Sequence, residues 1–286
     1  MLERRYFLDA IKCISIILII LGHLGDYLEF PFLSRLNTEF YYVGLSGFIF
    51  SSGYLVSLNN PVLRTKKNIF SFYKKRVVRI FPLYLLSLFC FYLCFQLNHF
   101  VWTFNYNISG WIIHILGLQI LLSPLYVIPM FTLWFVGLIL LLYFLYPVFC
   151  YSESKRDLLL VSFAIFCLAL IIHYSLNLIH MQFFIYYWIF ILGIFLAKSN
   201  YNFNGIEFFI KRHTILLKFI LAVSIASFCI YLFHRPLFSI FVTLLNSLNL
   251  DVYVHDLLLY LCVIPFIFII SYYIQIYYDK FVNKIL

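Results

Sequence analysis

Long apolar blocks alternate with short polar breaks along the chain, and inside the blocks apolar residues run on continuously instead of taking every second position. A membrane β-barrel would show roughly ten-residue segments of strict alternation, so helices are the economical reading. One helical crossing needs about 20 mostly apolar residues. Blocks of this kind lie near 7–24, 40–57, 80–97, 131–150, 158–176, 183–197, 219–245 and 257–277. They predict an all-α, polytopic membrane helix bundle of about eight crossings. A further block, Trp111 to Met130, is broken by Pro124 and Pro129 and reads as a re-entrant or interfacial segment. Repeats, low-complexity stretches and a soluble extension are absent, so 1–286 reads as a single integral membrane domain.

Composition sharpens this. The chain is 65% apolar or aromatic and only 11% charged, against about 25% charged in an ordinary soluble domain. A cytosolic enzyme, a secreted disulfide scaffold and a disordered chain are excluded. The formal charge of +9 could suggest nucleic acid, but the basic residues sit between spans and topology explains them: the expected surroundings are membrane lipids and no nucleic acid. With the amino terminus cytoplasmic and 111–130 not crossing, 18 of the 20 basic residues fall on the cytoplasmic side, as the positive-inside rule requires. Arg35 alone lies in an outer loop and Arg235 within a span. Both termini are then cytoplasmic. Arg4 and Arg5 precede the first block as in a signal peptide, yet Gly22-His23-Leu24-Gly25-Asp26 offers no small-residue cleavage site, so the helix is expected to be retained. All seven cysteines fall in apolar blocks without metal-ligand or redox spacing, and no metal site is expected.

Ionisable groups inside spans are the informative ones, because they face cavities and carry function. The first helix carries Asp9, Lys12 and His23. At 100° per residue Lys12 and His23 share one face, about 16 Å apart along the axis. A snorkelling lysine with an interfacial histidine is the plain alternative. The run Lys74-Lys75-Arg76-Val77-Val78-Arg79-Ile80-Phe81-Pro82 presents two arginines three apart, a fork for phosphate oxygens, or else an ordinary positive-inside anchor. Pro82 suits the first turn of the third span. The seventh span carries Tyr231-Leu232-Phe233-His234-Arg235-Pro236, whose His-Arg pair is costly without partners, by ~2.5–3.5 kcal/mol for the arginine. His234 stands at a depth comparable to His23, so the two could line one cavity or simply join helices. The remaining histidines (His99, His114, His173, His180, His213, His255) read as structural or solvated.

Taken together these motifs resemble the acyltransferase-3 family of membrane O-acyltransferases, which acylate bacterial surface polysaccharides and related glycans. Leu8 to Lys12 through Gly22-His23 is similar to that family's first helix, where a basic residue, usually arginine, precedes a histidine by eleven positions. Gly44 with Ser52-Gly53-Tyr54 resembles its second-helix signature, and Arg76 through Tyr84 its R-x-x-R-I-x-P-x-Y run. Trp134, Tyr143 and Pro147 reproduce the spacing of its tryptophan-led helix. Phe190 to Gly193 and Tyr231 to Pro236 resemble later elements. Lys12 stands where arginine is usual, Ile139 where many members carry glutamate, and eight crossings are two fewer than the common ten.

The resemblance implies transfer of an acyl group, acetyl in the simplest case, from cytoplasmic acyl-CoA to a hydroxyl of a surface or lipid-linked polysaccharide, in a bacterial inner membrane. Acetyl-CoA is then a co-substrate, with no permanently bound cofactor. It implies that Lys12, Arg76 and Arg79 bind the donor's phosphates and that His23 is catalytic, either deprotonating the acceptor or carrying the acyl group itself. Asp26, Ser52, Tyr54, Trp134, Tyr231, His234 and Arg235 would act on the acceptor side or behind the reacting group. The alternatives are a glycan or lipid-linked sugar transporter and a structural subunit of an export complex. The acceptor's identity and the oligomeric state are not legible.

Overall fold

Each of the eight predicted spans is helical in the computed structural model, which describes residues 4–28, 37–97, 106–199 and 203–286. Arg35 and His99 lie outside the described residues. The helices are α1 (Tyr6–Leu24), α2 (Asn37–Asn59), α3 (Lys66–Gln96), α4 (Ile108–Ile115), α5 (Trp134–Cys150), α6 (Lys155–Leu176), α7 (Met181–Lys198), α8 (Asn204–Arg212), α9 (Thr214–Ser247), α10 (Val252–Leu258) and α11 (Ile264–Ile285). A π-helical turn, Leu259–Val263, joins α10 to α11 as one continuous rod. Among the described residues, eight helical segments are long and apolar enough to cross a membrane, and none is a strand.

The bundle is organised around α1, which packs on α2 and α9; α2 in turn packs on α7, and α9 on α11 and α3. Between apolar helices in lipid there is little hydrophobic drive, so close backbone approach supplies the attraction. The α2–α7 crossing shows this. A Cβ on Gly193 would stand 2.8 Å from the Tyr54 amide nitrogen, and one on Gly53 would collide with the Phe190 carbonyl. Toward α1, a Cβ on Gly44 would come within 2.8 Å of the Ser15 carbonyl. By contrast α6 buries only Leu158, Ser162 and Ala169, which leaves most of it for lipid.

Pro82 corrects an expectation. It is not at the start of the third span, because α3 begins at Lys66, capped by the Thr65 side chain accepting from the Asn68 amide at 3.2 Å. The basic run is therefore helical, and Pro82 lies inside the helix. A helix-interior proline leaves the carbonyl four residues back without its N–H partner. Here that carbonyl belongs to Val78, and the Tyr278 hydroxyl of α11 donates to it. Pro236 in α9 is handled alike: the freed Leu232 carbonyl accepts from buried Ser87 Oγ at 2.7 Å. Both prolines are tolerated because a neighbouring helix replaces the lost donor, as the absence of water in lipid demands.

The interrupted block 111–130 does not form a continuous crossing helix. It begins after α3 and returns to α5, with α4 followed by irregular turns. Irregular backbone at membrane depth survives only inside protein, and this stretch is held there. Fully buried His114 accepts from the Met130 amide at 3.1 Å through Nε2, while its carbonyl accepts from Tyr84 Oη at 2.5 Å. Buried Gln119 donates to the Leu133 carbonyl at 2.9 Å. The amides of Ile179 and His180 bond to the carbonyls of Leu121 and Ile120, pinning the segment to the α6–α7 turn.

Candidate active site

Basic side chains from the first turns of α1 and the first half of α3 converge on a cavity of about 650 Å³. α1 contributes Arg4 (from just before its first turn), Asp9 and Lys12; α3 contributes Lys75, Arg76 and Arg79. The spacing accounts for this, since residues three and four apart on a helix share a face. Ser52 and Phe48 of α2, Ile139 and Tyr143 of α5, and Ser224 and Tyr231 of α9 complete much of the wall. The Arg76 guanidinium lies 4.8 Å from the Tyr143 ring centroid and 5.3 Å from that of Phe72. Aromatic faces thus orient Arg76 without neutralising it.

Asp9 is the one carboxylate on that wall among the described residues, and it is 7% exposed. Arg4 donates to it through Nε at 2.7 Å and NH2 at 3.2 Å, and Ser224 Oγ donates to it at 2.7 Å. The bond to Asp9 pushes the Arg4 guanidinium above its ordinary pKa, and the Ser224 bond ties α1 to α9. Lys12, Lys75, Arg76 and Arg79 have no carboxylate within ion-pair distance among the described residues, so the cavity is strongly cationic.

A second polar cluster forms where the far end of α1 meets the middle of α9. Arg235 NH2 donates to His23 Nδ1 at 2.6 Å and to Asp26 Oδ2 at 2.7 Å. The Phe131 ring lies 5.3 Å beneath the same guanidinium. The His23 ring packs on Tyr41, centroids 4.3 Å apart, and on His234 at 5.0 Å. Tyr41 is itself fixed by its hydroxyl donating to the Gly22 carbonyl at 2.8 Å. His234 is fully buried, with Nδ1 facing the carbonyls of Ile230 and Tyr231 at 3.0 and 2.8 Å. The Asp26 side chain is 41% exposed, so the cluster opens toward the end of the bundle away from the cationic cavity. In the turn after α1, burial pushes the Tyr27 hydroxyl up to about 12.

The two clusters meet at Tyr231. Its ring lies on the cavity wall with Phe48 and Phe135, 4.8 Å from Phe135 and 6.4 Å from Phe48, and stands 6.0 Å from His234. Its hydroxyl donates to the Thr132 carbonyl. His23 is not on the cavity wall, so the face shared with Lys12 does not by itself make one open hollow. Of the residues singled out by sequence, Lys12, Ser52, Arg76, Arg79 and Tyr231 line the cavity, and His23, Asp26, His234 and Arg235 form the second cluster. Asp26, in the turn after α1, is the ion-pair partner of Arg235.

Tyr54 and Trp134 belong to neither group: buried Tyr54 packs edge-on against Phe7 at 5.3 Å, and Trp134 stacks on Tyr186 at 5.9 Å. Sequence reasoning missed Arg4, Ser224, Tyr41 and Thr132. Asp9 five residues after Arg4 was a legible ion-pair signal; the other three carry none.

Fold and site define a multi-pass α-helical membrane protein with a cationic cavity beside an intramembrane histidine pair. The family model for the acyltransferase domain of the acyltransferase-3 family matches residues 5–226. The chain belongs to that family and is a membrane acyltransferase. The matched stretch ends before Tyr231, so His234 and Arg235 lie beyond it. No curated protein and no solved structure matches the chain.

Proposed function

We propose that the protein moves an acyl group, acetyl in the simplest case, from acyl-CoA to a hydroxyl of a surface or lipid-linked polysaccharide, in a bacterial inner membrane with both termini cytoplasmic. The observation that carries this reading is the juxtaposition of a cation-lined cavity with buried imidazoles at its aromatic end. Phosphate on an arginine fork is a strong, charge-assisted contact, and Arg76, Arg79 and Lys12 supply one. The donor's thioester arm would extend from them toward Tyr231. The Tyr231 ring in turn stands 6.0 Å from that of His234. The acceptor would enter from the opposite end, past Asp26. His23 then touches the reacting atoms. The apolar side chain at Ile139, on the cavity wall, supports a mechanism run by imidazole without a carboxylate from that position.

The test is transfer of label from [¹⁴C]acetyl-CoA to glycan in membranes with and without the protein. Alkali-labile label on the glycan, dependent on the protein, is the expected result. Label that stays with CoA while glycan crosses the membrane unmodified overturns the proposal in favour of transport.

A further inference from the structure

Two imidazoles side by side need not do the same job, and their hydrogen bonds distinguish them. Arginine has donors and no acceptor, so the 2.6 Å contact between Arg235 NH2 and His23 Nδ1 requires a lone pair on that nitrogen. A neutral imidazole has one proton, and in His23 it therefore sits on Nε2. His234 is the reverse. Its Nδ1 faces two backbone carbonyls, at 3.0 and 2.8 Å; carbonyls only accept, so Nδ1 carries the proton. The lone pair of His234 is then on Nε2, which is buried without a hydrogen-bond partner among the described residues. A buried acceptor left unsatisfied has lost its hydration without a replacement, and a catalytic role is one physical reason for keeping such a group.

We propose that Arg235 and the α9 backbone hold the two histidines in opposite tautomers, so that His234 Nε2 is the general base and His23 Nε2–H is the electrophilic donor. The proposal rests on the acyl-transfer reading for its chemistry and on geometry alone for its tautomers. The acceptor hydroxyl gives its proton to His234 Nε2 while its oxygen forms a bond to the thioester carbonyl carbon. The carbonyl π pair moves to oxygen, where His23 Nε2–H donates to it. On collapse the C–S bond breaks, the electron pair leaves on sulfur, and the proton held by His234 passes to that thiolate. Ester and thiol are the products, and both histidines return to their starting forms. A neutral imidazole acting as a donor to a carbonyl is an established device. Arg235 is a positioning residue here, and Asp26 Oδ2 accepts the second hydrogen bond from the same NH2 nitrogen.

The decisive measurement is the ¹⁵N spectrum of histidine-labelled protein in lipid bilayers, assigned with His23→Gln and His234→Gln, because nitrogen shifts report which ring nitrogen bears the proton. The expected result is His23 protonated on Nε2 and His234 on Nδ1. In Arg235→Leu the His23 proton is expected to move to Nδ1, which lies 3.7 Å from Asp26 Oδ2. Finding His23 protonated on Nδ1, or His234 on Nε2, in the unmodified protein overturns the proposal.

Turnover supplies the second arm. His234→Gln is expected to lose about 10²–10⁴-fold, the usual worth of a general base. His23→Gln keeps an N–H donor and is expected to lose less; the reverse order overturns the assignment of roles. The spectrum needs no substrate. A wild-type protein that transfers nothing therefore removes the base role together with the enzyme reading, and the spectrum still decides the tautomers.

Discussion

Replacing Arg76 and Arg79 together by methionine removes the fork while keeping apolar bulk at position 76 against Phe72 and Tyr143. Both arginines line the cavity, and neither is neutralised by a carboxylate among the described residues. Their charge is thus available to a ligand instead of being used internally. A hydrogen bond to a charged group contributes about 1.5–3 kcal/mol, which corresponds to a factor of about 10–150 in affinity for each arginine that contacts phosphate. Some of this is lost to screening where the cavity is wet, so a loss of about 10²-fold for the pair is the working figure.

The assay is equilibrium binding of CoA, dephospho-CoA and pantetheine to purified protein in nanodiscs, at two ionic strengths. The double variant is expected to lose affinity for CoA, to lose less for dephospho-CoA, and to match the wild type for pantetheine, which has no phosphate. Wild-type binding should also weaken with salt more steeply than the variant's. Equal CoA affinity in the two proteins, or an equal loss for pantetheine, would refute the phosphate-fork reasoning. Arg76→Lys separates charge from shape, since lysine cannot offer a planar fork or stack over Tyr143 in the same way.

His23→Ala removes both ring nitrogens from the cluster and is expected to lower acyl transfer at least 10²-fold while the protein still inserts and purifies normally; full activity in that variant sinks the catalytic assignment. Ser87→Ala leaves the Leu232 carbonyl, already deprived of an N–H by Pro236, without its donor, at a cost of about 1–3 kcal/mol. Its thermal unfolding midpoint in detergent should fall, and Tyr278→Phe should do the same at Val78 and Pro82. Unchanged midpoints in both would mean that the proline carbonyls are satisfied in some other way.

The architecture was legible because lipid imposes a one-dimensional rule. A segment that crosses must be about 20 residues of apolar helix, and hydropathy alone located all eight. Helical spacing likewise placed Arg76 and Arg79 on one face, because residues three apart in a helix are neighbours whatever surrounds them. The start of α3 was not legible. Its first half is polar and carries a proline further on, and only the cavity it lines and the Tyr278 donor from α11 explain why it remains helical.

Hydropathy and helical periodicity therefore determined the spans and the faces of single helices, since both depend only on neighbours in the chain. The tertiary structure decided what those faces meet. His23 and Arg235 are 212 positions apart, as are the groups on either side of the Arg4–Asp9–Ser224 link to within a few residues, and no local pattern encodes such pairings. They arise because α1 packs against α9. The direction of each imidazole proton follows from that packing, because only the folded bundle brings an arginine to one ring and leaves the other facing its own backbone.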